Sequence, residues 1–175
     1  MRGLEGSDRA RLVRRVLAVG GVLFLLAVIQ TTVFGRWKLF GAVPDLMLCC
    51  VVLLGFLRGR EEGAISGIAA GFFIAALGSV GVTVAPVFYM LCGYVCGFFA
   101  RAVYPKSFVT FLPFLAASLP AKAVETVLSA CLRQPEPRLG SLLVWAVLPE
   151  AAGTFLCGMA LFFPIRAVLG REKKR

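Results

Sequence analysis

From Gly63 to Ala100 the chain runs for 38 residues without a charged side chain. A bilayer accepts such a stretch as helix at about 20 residues per crossing, whereas a small soluble core has no room to surround it. It is too long for one crossing and right for two. The break is expected at Gly78-Ser-Val-Gly81-Val-Thr-Val-Ala-Pro86, where glycine, β-branched residues and proline all weaken a helix. This gives a third helix over 63–78 and a fourth over 86–100. With 59% of its 175 residues hydrophobic and only 16% charged, the chain lies outside the range of soluble domains. It reads as a single all-α integral membrane domain over 1–175, with no polar segment longer than the first fifteen residues.

Four further spans complete a polytopic membrane protein of six transmembrane helices. Val16 to Phe34 carries no charge, and its 19 residues make about 28 Å of helix, enough to span. A signal peptide is the competing reading, but the run exceeds a typical h-region and ends in Gln30-Thr31-Thr32 rather than a small-x-small cleavage site. The second span covers 39–57, interrupted by Pro44-Asp45. Proline suits a first helical turn and the aspartate can accept from free amides there, so the helix is expected to begin near Asp45. The charged turn Arg58-Gly-Arg60-Glu61-Glu62 separates it from the third helix. The fifth span covers 107–132 and contains Pro113 and Pro120. The sixth covers 139–165 with Pro149 and Pro164, after the polar turn Arg133-Gln-Pro-Glu-Pro-Arg138.

Net charge is +10, but the basic residues flank apolar spans, so they read as orientation signals and contacts to anionic lipid rather than a nucleic-acid surface. Assigned to alternate sides, 14 Lys and Arg fall with the two termini and four on the opposite side. The positive-inside rule then places both termini in the cytoplasm. With no histidine, the commonest metal ligand and general base is missing. Cys49, Cys50, Cys92, Cys96, Cys131 and Cys157 all sit in apolar runs, where cysteine behaves as a small hydrophobe. No phosphate loop, nucleophile elbow or metal-binding helix motif occurs, so neither catalysis nor a metal or cofactor is expected.

Two features stand out from the apolar background. Gly63, Gly67 and Gly71 recur every fourth residue, with Ser66 and Ala70 widening the strip, and Gly93 and Gly97 form a similar pair. Lipid tails provide no hydrophobic drive between helices, so small residues that let backbones approach are the expected contact; scattered glycines in a weakly packed helix is the plainer reading. The second feature is the ionisable set Asp45, Lys122, Glu125 and Glu150 inside spans. Such groups are costly in lipid and face one another, a bundle interior or a cavity. All four fall in the outer half of the membrane, Glu125 and Asp45 nearer the surface than Lys122 and Glu150. Pro120 and Pro149 loosen the two helices beside them. A Lys122 pair with Glu150 or Glu125 that pins the fifth helix to the sixth is one reading; a partner or ligand site opening outward is the other.

Taken in order, Gln30-Thr31-Thr32, Pro44-Asp45-Leu46, the glycine series, Gly93-Tyr94-Val95-Cys96-Gly97 and Pro149 resemble the rod shape-determining protein MreD family over nearly the whole chain. The chain departs from the family at Ala75, where many members carry aspartate. The resemblance implies a non-enzymatic membrane component of the bacterial cell-elongation machinery, in the cytoplasmic membrane. Its implied partners are MreC and, with it, MreB, RodA and a class B penicillin-binding protein. The same family is similar in helix arrangement to the substrate-binding subunits of energy-coupling-factor transporters, which makes a vitamin capture subunit the alternative. A lone ion-coupled transporter is disfavoured because no inverted repeat is evident.

Overall fold

The computed structural model describes residues 2–34, 36, 43–77, 84–102, 106–133, 140 and 147–170. It is all-helical over these residues. The helices are α1 (Arg2–Ile29), α2 (Leu46–Arg58), α3 (Arg60–Leu77), α4 (Ala85–Phe99), α5 (Phe108–Arg133) and α6 (Leu148–Gly170). Three segments, Ala85–Ala102, Phe108–Leu128 and Leu148–Ala167, are long and apolar enough to cross a membrane. Two shorter apolar helical segments are Leu17–Val33 and Leu46–Arg58. Large apolar side chains point outward all along the bundle, including Ile65, Phe72, Phe99, Val109 and Phe163. Such a surface is compatible with a membrane protein.

Several boundaries differ from the sequence expectation, each for a local reason. The first helix was expected over 16–34, but α1 starts at Arg2, because no proline lies between the basic segment and the apolar run. It ends in a π-helical turn, Gln30–Phe34, where Thr31 and Thr32 donate back to the Ala27 and Val28 carbonyls. The charged turn before α3 shrinks to Gly59, whose φ of 102° favours glycine. Glu61 and Glu62 lie within the first turn of α3, where they complement the positive end of its dipole. Pro86 opens α4 and a 3₁₀ turn, Ala100–Ala102, closes it. Ser107 and Thr110 exchange hydrogen bonds at the head of α5. Of the expected break at 78–86, residues 78–83 lie outside the described residues, as do residues 134–138 of the polar turn, residues 39–42 of the second span and most of 139–146.

α2 is the axis of the bundle. Its apolar residues occupy every face, the pattern of a helix surrounded on all sides, and Leu46 to Phe56 are all buried. It packs against α1, α3, α4, α5 and α6. The most extensive pair is α3 with α4, and the glycines explain it. A Cβ built at Gly63 would lie 2.5 Å from the Gly93 carbonyl oxygen and 2.8 Å from the Gly55 Cα. One at Gly67 would strike the Tyr89 carbonyl, and one at Gly71 would strike Pro86. Gly97 rests on Gly59 and Arg60. Gly55, which the spacing argument passed over, brings α2 into the same backbone junction.

Candidate functional site

The N-terminus of α2 is buried, so water does not satisfy its first amides. Side chains from three segments do so. The Asp45 carboxylate accepts from the Leu48 amide at 2.9 Å. Gln30 accepts from the Met47 amide at 3.1 Å, and Thr154 accepts from the Asp45 amide at 2.9 Å. Pro44 seats its ring against Gly153, where a Cβ would come within 3.3 Å of it. The Pro-Asp corner is therefore held by α1 on one side and α6 on the other.

Asp45 is also the hub of a charge cluster. Its second carboxylate oxygen accepts from the Tyr89 hydroxyl at 2.5 Å and lies 3.0 Å from the Lys122 ammonium. Lys122 is 2.7 Å from Glu125 and 3.7 Å from Glu150, and Thr126 donates to Glu150 at 3.3 Å. The ammonium also lies 5.7 Å from the Tyr89 ring centroid and 5.8 Å from that of Phe88, within cation–π range. Among the described residues no buried side-chain nitrogen or oxygen lacks a hydrogen-bond partner.

All four ionisable residues singled out in the sequence thus meet around one ammonium: the expected contacts of Lys122 with Glu125 and Glu150 are both present, and Asp45 joins them. The Glu125 contact stays within α5, and Glu150 is the most distant of the three carboxylates. The short link between helices runs to Asp45, so Lys122 fastens α5 to the central α2 rather than chiefly to α6. All three carboxylates lie within 4 Å of one nitrogen. Pro149 and Glu150 fall in the first turn of the described α6. Tyr89, Thr154 and Thr126 escaped the sequence reading. Tyr89 was the most accessible of them, because a buried tyrosine needs a partner for its hydroxyl.

The cysteines at 49, 50, 92, 96, 131 and 157 are free thiols. Cys49 donates to the Thr154 carbonyl and Cys96 to that of Val52, which further ties α6 and α4 to α2. Among the described residues, no group of histidine, cysteine or acidic side chains is arranged to hold a metal. Comparison with known families, with curated proteins and with solved structures gives no match for this chain.

Proposed function

We propose that the chain is a non-enzymatic scaffold of the bacterial cell-elongation machinery. In this reading six helices cross the cytoplasmic membrane and both ends lie in the cytoplasm. The scaffold binds MreC and, with it, MreB, RodA and a class B penicillin-binding protein. One observation carries the reading: residues on which the MreD resemblance rests serve a common structural purpose. Gln30 and Asp45 satisfy the head of α2, while Gly63, Gly67, Gly71, Gly93 and Gly97 join α3, α4 and the α2–α3 turn. A rigid central helix with satisfied ends suits a protein whose work is to hold others in place. The charge cluster favours the scaffold over vitamin capture, since its side chains bond to one another and no histidine is present to cradle a polar ligand.

Depletion in a rod-shaped host should produce rounded cells while nutrient uptake stays normal. Rods that persist while uptake of one vitamin is lost would overturn the scaffold in favour of a capture subunit. The orientation is tested separately by cysteine labelling. Gly59→Cys and Arg175→Cys should react only after the membrane is permeabilised, and Pro135→Cys in intact cells. An externally labelled Arg175→Cys would refute the six-span arrangement.

A further inference from the structure

Between α4 and α5 lies an open apolar groove of about 660 Å³, with Leu91, Val95 and Phe99 on one wall and Pro113, Ala117 and Val124 on the other. Its length follows from helix rise. From Phe88 to Phe99 it covers about 16 Å, roughly half of a hydrocarbon core of about 30 Å. The Ser118 hydroxyl in its lining donates to the Leu115 carbonyl at 2.7 Å, so the lining is aliphatic and aromatic in character. One end of the groove reaches Phe88, with the Lys122 ammonium beside its ring. The other end is basic. Exposed Arg101 follows Phe99 in the 3₁₀ turn. The Lys106 ammonium bonds the Leu57 carbonyl and lies 5.9 Å from the Phe56 ring centroid. That ring packs on Phe114 in the groove wall.

We propose that this groove seats one acyl chain of an anionic phospholipid, with its phosphate at Arg101 and Lys106. Length selects lipid over a partner's transmembrane helix: such a helix crosses both leaflets, whereas the groove matches one. Charge selects the headgroup, because basic side chains at a membrane surface favour anionic lipid. The proposed orientation enters only in naming the leaflet as cytoplasmic.

A photoreactive phenylalanine analogue at Leu91, activated in native membranes, should give a phospholipid adduct. An adduct to another protein chain instead would overturn the proposal in favour of a helix in the groove. For wild type in discs of mixed phosphatidylglycerol and phosphatidylcholine, native mass spectrometry should show preferential retention of phosphatidylglycerol. Arg101→Gln, a surface change, should lower that retention about fivefold, and Ala117→Leu should lower it by filling the groove. Equal retention of the two lipids by wild type, or unchanged retention in both folded variants, would also overturn it. A lipid adduct combined with external labelling at Gly59→Cys would support the groove while refuting the orientation.

Discussion

The two faces of α4 are packed in opposite ways. Toward α3 it presents Gly93, Gly97 and the Tyr89 backbone, and the two helices touch with no room for a methyl group between them. Toward α5 it presents Leu91, Val95 and Phe99, and there the helices diverge around a groove. Both faces share one solvent, so hydrophobicity cannot account for the difference. Where small residues align, backbones meet and dispersion contacts accumulate. Where Leu91, Val95 and Phe99 stand in place of glycine, the backbones stay apart, and α5 is held instead by Phe111 packed on Phe56 and by a lysine reaching Asp45 at the head of α2. One side of α4 is joined by backbone contact, whereas α5 is fastened by side chains, with a charge cluster among them.

The contrast can be broken from either side. Lys122→Met should have the largest effect. It leaves Asp45, Glu125 and Glu150 without their shared cation, and breaking a buried pair in this way costs about 3–5 kcal/mol. Loss of monodisperse protein in detergent, or a steep fall in thermal midpoint, is the expected outcome. Gly67→Ala should cost about 1–3 kcal/mol through overpacking, because the new methyl would lie 2.7 Å from the Met90 nitrogen and closer still to the Tyr89 carbonyl. Gly20→Ala is its control, since a Cβ there meets nothing within 4 Å, and it should leave the midpoint unchanged or slightly raised. Equal effects at the two glycines would remove the seam from the explanation. Thr154→Val should come last, at about 1–2 kcal/mol for a buried amide left without an acceptor, read as a fall in midpoint with helical content preserved.

Much of this arrangement was legible in the sequence wherever residue type alone implies position. A proline-aspartate pair ahead of an apolar run marks a helix start, and α2 does begin at Leu46 with Asp45 as its cap. Glycine at four-residue intervals marks one face of α3. Charged residues within spans are few enough that their meeting was foreseeable as a set. The contacts of Lys122 with Glu125 and Glu150 were foreseeable too, but that with Asp45 was not, because it depends on how helices far apart in sequence are laid side by side. Thr154 meets Asp45 across 109 residues and Tyr89 meets it across 44, and neither distance has a local signature. Gly55 was missed because it stands alone in its helix, without a repeat to flag it. The early start of α1 was missed for another reason: polarity marks where a membrane ends, which need not be where a helix ends.

The central claim is that Lys122 fastens α5 to α2 through Asp45, with Glu150 a minor partner. A double-mutant cycle on the purified protein measures this directly, using Asp45→Asn, Lys122→Met and the pair, beside a second cycle of Glu150→Gln with Lys122→Met. The geometry predicts a coupling in the first cycle toward the upper part of the range of about 0.5–3 kcal/mol seen for contacting residues, and a clearly smaller one in the second. Additive effects of Asp45→Asn and Lys122→Met, or a stronger coupling to Glu150, would contradict it.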